Sequence, residues 1–297
     1  NANPLHPRGL SDEETMNWVL LLDSLNFSFW PDAGKHYNVT YNGETQTGYL
    51  ACCAAILRAH DNGVKVTSAE WMINVEQDEL GEILRGDDGY DIPLLKERVD
   101  VIHDTGLTLR EKFRGQFMNA VKRGEKSAQT LLRLVLLNFD TFSDTSLYCR
   151  QKVSFLKRAQ ILVSDVYGAL QGKSDFAAFE DIGTLTMFAD YRVPQVLAWM
   201  GVLEYSNALT ERLRTGEVLP HGDPMEVQLR GCSIYACEKI VESMNEQRAA
   251  KVDDIDWSEY RAIHAIDVDV WLWQFRRAHA QEVDAYIPHH RTRSIFY

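Results

Sequence analysis

No apolar stretch in this chain reaches the roughly 18 residues that a membrane-spanning helix requires, so the sequence offers no candidate span and no membrane partner. Positive charge is also in short supply. Lys and Arg number 31 against 43 Asp and Glu, a formal net charge of −12. That balance argues against a protein built to hold a nucleic-acid duplex, because phosphate binding is largely electrostatic. The five cysteines, Cys52, Cys53, Cys149, Cys232 and Cys237, are odd in number, and none stands in CxxC or zinc-ligand spacing. They are expected to be small apolar core fillers in a reducing compartment, cytoplasmic or nuclear. The Walker loop, the Rossmann fingerprint, HExxH and GxSxG are all missing. His279, His289 and His290 are too loosely placed to claim a metal, and histidines in a tail are expected to be solvated.

Helix signals fill most of what remains. With 297 residues, 45% of them hydrophobic, the chain can bury a substantial core. No repeat or linker divides it. One unit is expected, with two intimately packed helical lobes as the alternative. Ser11 and Glu14 form a capping box ahead of Trp18, Val19, Leu21 and Leu22. Thr67 with Glu70 and Thr108 with Glu111 suggest two more. Tyr37 to Thr47 alternates around Asn42-Gly43, the dipeptide of two-residue hairpin turns. A helix follows from Tyr49 to Asn62, and Pro93 is placed in the first turn of another. Leu131 to Phe139 reads as a deeply buried helix, and Ser146 to Leu170 as a long one. Asp223-Pro224 opens a further helix, and Ile266 to Trp273 lies in the last. The fold class is all-α, with one small hairpin near the N-terminus.

The densest chemistry lies between Thr184 and Gly201, where Asp190, Tyr191 and Arg192 precede Pro194 and the apolar run Val196, Leu197, Trp199, Met200. A proline suits a first helical turn, and a glycine the position just past a helix end. The polar triplet therefore belongs at the N-terminal mouth of a short buried helix, where anions are favoured. A plainer reading stands beside this one: Asp190 is a cap accepting from the Val193 N–H, and Arg192 is a solvated charge.

Other candidates each carry the same choice. Phe27, Phe29 and Trp30, closed by Pro31, are either core or a platform for a flat heterocycle. Lys157 and Arg158 interrupt an apolar helix, and they either snorkel to water or face the cavity of Asp190. Asp269 stands in the run Ile-Asp-Val-Asp-Val-Trp-Leu-Trp, where an unpaired carboxylate is costly. Asp267 is the N-cap candidate there. The ending Ser294-Ile295-Phe296-Tyr297 is expected to dock, bringing Arg291 and Arg293 with it. Pattern alone points to an acid-assisted enzyme acting on an anionic, aromatic small molecule.

Several strings carry a resemblance. They are His6-Pro7, Leu22-Asp23-Ser24-Leu25-Asn26-Phe27-Ser28-Phe29-Trp30, Lys157-Arg158-Ala159-Gln160-Ile161-Leu162-Val163, Asp190-Tyr191-Arg192-Val193-Pro194-Gln195, Arg230 to Glu238, and His290-Arg291-Thr292-Arg293. Together, from His6 to Tyr297, they resemble the queuosine salvage family of queuosine 5′-phosphate N-glycosylases. The resemblance implies an all-helical fold similar to that of DNA glycosylases. It also implies a small-molecule nucleotide substrate, queuosine 5′-monophosphate, cleaved to queuine and ribose 5-phosphate, with no metal or organic cofactor. Intact tRNA and DNA are not expected partners.

Breaking an N-glycosidic bond builds positive charge on the sugar, which a carboxylate beneath C1′ stabilises. Queuine is a 7-deazaguanine and has no N7 to protonate, so more of the work falls on the sugar. Asp190 is the expected catalytic carboxylate, with Asp269 a second acid or a base-binding partner. Phe27, Phe29, Trp30 and Tyr191 are expected around the base. Lys157, Arg158, Arg192, Arg230, Arg291 and Arg293 form the pool for the phosphate. Two competing classes are a non-catalytic helical nucleotide-binding or adaptor protein, and a DNA glycosylase. The latter calls for a helix-hairpin-helix and an electropositive face, and the sequence displays neither.

Overall fold

A computed structural model describes residues 5–250 and 260–297. The chain divides into two compact units: the first takes the chain up to Ser143, Ile161–Glu180 and Ser294–Tyr297, and the second Asp144–Gln160 and Asp181–Arg293. Helices dominate both. Among the described residues no helix is long and apolar enough to cross a membrane.

The first unit opens with α1 (Asp12–Ser24), whose capping box forms as the sequence indicates: Glu14 N donates to Ser11 Oγ, and Ser11 N to Glu14 Oε2. The hairpin β1 (Asn38–Tyr41) and β2 (Glu44–Thr47) turns at Asn42-Gly43, with Tyr41 opposite Glu44. Then come α2 (Tyr49–Asp61), α3 (Ala69–Asn74), α4 (Gln77–Leu84), α5 (Leu95–Phe113), α6 (Met118–Arg123) and α7 (Ala128–Asn138). The core gathers Met16, Leu20, Ile56, Ile102, Leu109 and Phe113, all fully buried. Helix α5 passes α3 so closely that a Cβ on Gly106 would stand 2.7 Å from that of Met72. Asn17 is buried yet satisfied, donating to Thr67 O and Gly115 O and accepting from Phe117 N.

Local expectations fail here at four places. Ser68, not Thr67, caps α3 by accepting from Trp71 N. Thr108 lies inside α5 and starts nothing. Pro93 precedes that helix, because Leu94 adopts a left-handed conformation, φ 59°, before the first turn at Leu95. The apolar run Leu131 to Phe139 is not buried all round: Leu131, Leu132 and Val135 face the core, while Leu137 is 78% exposed.

The second unit begins with a hairpin that the sequence reading missed. Strands β3 (Thr145–Tyr148) and β4 (Gln151–Ser154) pair across Cys149-Arg150, both at positive φ. The expected helix from Ser146 therefore starts only at Lys157, as α8 (Lys157–Leu170). A primed turn built on Cys-Arg rather than Asn-Gly carries no composition signal. Helices α9 (Val193–Trp199), α10 (Asn207–Arg214), α11 (Pro224–Ala249), α12 (Ala265–Ala278) and α13 (Ala280–Tyr286) follow. Phe155, Met187, Val193, Val196, Leu197, Val227, Cys237, Val268 and Leu272 form one buried cluster, while Leu209 and Leu213 of α10 pack in another with Ala198, Leu229 and Ile287. Gly201 is left-handed just past α9, as its position indicates. His264 rather than Asp267 caps α12, with Asp267 completing the capping box. Cys52, Cys53 and Cys237 are buried as expected, but Cys149 and Cys232 are exposed.

Candidate active site

An irregular segment, residues 186–190, leads to the start of α9 without pairing to any strand among the described residues. Buried backbone groups need partners, and side chains supply them. Thr186 N donates to Gln160 Oε1 at 2.8 Å, and Phe188 N to Asp269 Oδ1 at 2.9 Å. Arg230 Nε donates to Ala189 O at 2.8 Å. The segment ends on Asp190, whose Oδ1 accepts from Arg192 N at 2.8 Å and Val193 N at 2.9 Å. Asp190 thus accepts from the Val193 N–H, as the plainer reading has it, although the N-cap residue of α9 is Arg192. Both bonds fall on the same oxygen, so the backbone fixes where Oδ2 points.

Asp269 is the second carboxylate. It lies on α12, 6% exposed. Burial pushes its carboxyl well above the usual range, and the nearby Asp190 charge adds to that; the Phe188 N–H and the Lys157 ammonium oppose it less strongly. Two carboxylates that feel one another tend not to ionise together, and burial makes Asp269 the one whose charged form is disfavoured. Lys157 stands in the first turn of α8, only 5% exposed, and Arg158 is 1% exposed. Neither snorkels. Both lie in the interior, where a charge is costly unless it is paired.

Arg230, placed in the phosphate pool by charge alone, occupies a different setting. It is fully buried on α11. Besides Ala189 O, its guanidinium donates to both oxygens of Asp144, at 3.1 and 2.5 Å, and to Glu226 Oε1 at 3.3 Å. The Phe155 ring lies 4.1 Å from its Cζ. Asp144 Oδ2 also accepts from Lys157 N at 3.1 Å.

Tyr191 and Arg192 turn toward the end of the unit. Tyr191 is buried, its ring centroid 5.1 Å from that of His289. Arg192 is no solvated charge: Nη1 donates to Gln195 Oε1 and Asp284 Oδ1, each at 3.3 Å. Asp284 also receives Arg276 and Gln195 Nε2. Burial works to raise the Asp284 carboxyl, but the Gln195 bond and the two arginine charges carry it below the usual range. Neither His289 nor His290 is solvated. Burial, then the Arg192 charge, lowers His289 well below its ordinary value; burial, then Arg230, takes His290 to about 3. Arg291 is held through its carbonyl, which accepts from Leu219 N at 2.8 Å, and its guanidinium lies against Gly216. Arg293 is partly exposed nearby in sequence.

The aromatic loop belongs to the first unit. Phe27, Phe29 and Trp30 are 0, 6 and 5% exposed. Arg98 Nη1 donates to Leu25 O, Nη2 to Phe27 O and Nε to Pro93 O. Its Cζ lies 4.2 Å from the Phe27 ring centre and 5.1 Å from that of Phe29. Phe29 meets Tyr49 edge to face at 6.0 Å. Ser28, at φ 45°, donates from its N to Tyr297 O and from Oγ to Ser294 O, so the tail docks as expected.

The residues that sequence reasoning did not select are Asp144, Gln160, Gln195, Glu226 and Asp284. Glu226 and Arg230 stand four apart on one helix, a spacing that signals a pair. Asp144 and Arg230 are separated by 86 positions, and nothing in either neighbourhood announces the contact. Among the described residues no group of three or more His, Cys, Asp or Glu could hold a metal ion.

The family described as queuosine salvage protein matches residues 5–297. A Bos taurus protein named queuosine 5′-phosphate N-glycosylase/hydrolase is 43% identical over 99% of this chain and 84% of its own length. A Mus musculus protein of the same name is 41% identical over 100% of this chain and 86% of its own. One from Sphaerobacter thermophilus is 40% identical over 96% and 82%.

Proposed function

The chain belongs to the queuosine salvage protein family, and on that premise we propose that it hydrolyses the N-glycosidic bond of queuosine 5′-monophosphate with Asp190 as the carboxylate beneath C1′. The observation that carries this is a fixed carboxylate: two backbone N–H groups hold Asp190 Oδ1, and the buried Asp269 accepts from Phe188 N, two residues before Asp190, its carboxyl raised by burial and by the Asp190 charge.

In the step, the C1′–N bond breaks and its electron pair leaves with the base. The Asp190 charge stabilises the cationic sugar and takes a proton from the water that adds to C1′. Asp269 supplies a proton to the departing base and regains one by way of solvent from Asp190. The products are queuine and ribose 5-phosphate. Base recognition by Phe27, Phe29, Trp30 and Tyr191 rests on aromatic chemistry alone. Lys157, Arg158, Arg192, Arg291 and Arg293 remain the pool for the phosphate. Energy from holding that remote group can be used to position C1′, so its loss should slow the reaction as well as weaken binding. A net charge of −12 disfavours a polyanion, so intact tRNA and DNA stand outside the substrate range.

Released queuine is the measurement, at equal concentrations of 5′-monophosphate, free nucleoside and queuosine-containing tRNA. The expected order is nucleotide well above nucleoside, with tRNA untouched. Asp190→Asn preserves capping, since Asn caps about as well as Asp, yet should cut kcat by about 10³-fold or more, or about 4 kcal/mol, with an unchanged melting temperature. Near-normal turnover by that variant would reduce Asp190 to a cap.

A further inference from the structure

We propose that Asp144, Arg230 and Glu226 form a buried positioning unit that sets the angle at which Asp190 presents its carboxylate, and that Asp144 extends the same control to Lys157. The inference rests on the reading of Asp190 as the catalytic carboxylate. None of the three residues touches the reacting atoms in this account; each acts through the backbone.

The geometry is a chain of short bonds. Arg230 Nε holds Ala189 O at 2.8 Å, one peptide unit before Asp190. Rotation of that peptide would swing the Asp190 Cα–Cβ vector. Arg230 is itself held from two sides, by both Asp144 oxygens and by Glu226 Oε1, and Phe155 covers its face at 4.1 Å. A guanidinium locked by a two-point carboxylate and an aromatic face cannot tilt. Glu226 is locked in turn, its Oε2 accepting from Gly222 N at 3.0 Å. Asp144 Oδ2 meanwhile accepts from Lys157 N, at the first residue of α8. One carboxylate thus fixes both the segment bearing Asp190 and the residue whose ammonium acts on Asp269.

All three side chains are at most 1% exposed. Two carboxylates and a guanidinium in an interior are expensive, and a core of packed apolar groups would serve stability at least as well. What the apolar core could not do is hold a carbonyl of a segment outside any helix or sheet in one orientation. A displacement of about 1 Å at reacting groups costs on the order of 10²-fold in rate, which is the scale of effect assigned to the unit.

The test is kinetics on three variants, Asp144→Asn, Glu226→Gln and Arg230→Lys, each assayed well below its melting temperature. Positioning predicts kcat lower by about 10- to 100-fold, KM for the nucleotide within about twofold, and an unchanged ratio of nucleotide to nucleoside rates. Glu226→Gln keeps size and an acceptor, so it is the variant to read if either of the others fails to fold. A folded Glu226→Gln with wild-type kcat overturns the proposal. So does a raised KM at constant kcat with a shrunken nucleotide preference, which would return Arg230 to the phosphate site. Wild-type protein that releases no queuine would instead overturn the reading of the reaction, and the positioning role with it.

Discussion

Two irregular segments of this chain are each shaped by one buried arginine, and the two arginines are answered by different chemistry. In the first unit Arg98 reaches the carbonyls of Leu25, Phe27 and Pro93 and lies over the faces of Phe27 and Phe29. In the second unit Arg230 reaches the carbonyl of Ala189 and bonds to two carboxylates, Asp144 and Glu226. The first arrangement folds a loop around neutral groups and apolar faces. The second holds a backbone in register while surrounding it with charge. A loop of the first kind can present rings; a segment of the second kind can present an acid at a fixed angle. The comparison also separates the roles within the loop, because the Phe27 face is already taken by Arg98.

The comparison breaks most visibly at Arg98. Arg98→Met keeps much of the apolar stem but leaves the carbonyls of Leu25, Phe27 and Pro93, and the more distant Ser28 O, without this donor, at about 1–3 kcal/mol for each group that finds no replacement. The expected total is about 3–5 kcal/mol of stability, read as a lower denaturation midpoint with kcat nearly unchanged in the protein that stays folded. A folded, stable Arg98→Met with kcat reduced as far as in Arg230→Lys would erase the distinction between the two arginines.

A smaller effect sharpens the charged side of the comparison. The Asp269 carboxyl is raised by burial and then by Asp190, so the folded state holds a proton that the unfolded chain releases in the ordinary carboxylate range. The sign follows: the stabilising contribution of that protonated carboxyl is complete below that range and is lost as pH rises through the raised folded value. Activity that uses the Asp269 proton should show an alkaline limb at the same folded value. Asp269→Asn keeps an acceptor for Phe188 N but cannot titrate. Its kcat should fall about 10- to 100-fold and its alkaline limb should vanish, in both a pH–rate profile and a pH–stability profile. A variant retaining the wild-type limb would assign that ionisation elsewhere.

The two segments were unequally legible in the sequence. Asp190 and the short helix after it could be read from Pro194 and Gly201, because their backbone demands are local and specific. Asp269 showed itself as a carboxylate in an apolar run. The helical class followed from capping signals at α1 and from periodicity, and the first hairpin from Asn42-Gly43. Position-dependent detail did not follow. Thr67 and Ser68 are equivalent caps to a pattern, and only the turn geometry chooses Ser68. The second hairpin turns on Cys149-Arg150, residues with no turn preference, so its strands merged with the helix behind them. Two partners of Arg230, Asp144 and Ala189, lie 86 and 41 positions away, and long-range pairing of that kind leaves no local trace. Burial of Lys157 and Arg158 was one of two readings that the sequence left open, and burial of His290 was not expected.

The aromatic side offers the smallest expected effect and the finest distinction, between a ring that supports and a ring that receives. Phe27 is fully buried beneath Arg98, so its truncation acts on the loop itself. Phe29 meets Tyr49 by edge and lies farther from the guanidinium, 5.1 against 4.2 Å. It is the ring with more face left for a base. Phe29→Ala should therefore weaken free queuine by about 1 kcal/mol, or roughly fivefold, the low end for loss of one aromatic–base contact, while leaving the nucleotide-to-nucleoside ratio unchanged because the phosphate is untouched. Phe29→Leu separates the two roles: it restores apolar volume without a π-face. Recovery of stability but not of queuine affinity in the leucine variant identifies a stacking ring. Recovery of both identifies a supporting one, and Phe29 would then join Phe27 on the structural side of the loop. Affinity should be read by titration of queuine onto protein whose melting temperature shows it folded at the assay temperature, since loss of a buried ring alone costs about 3–5 kcal/mol.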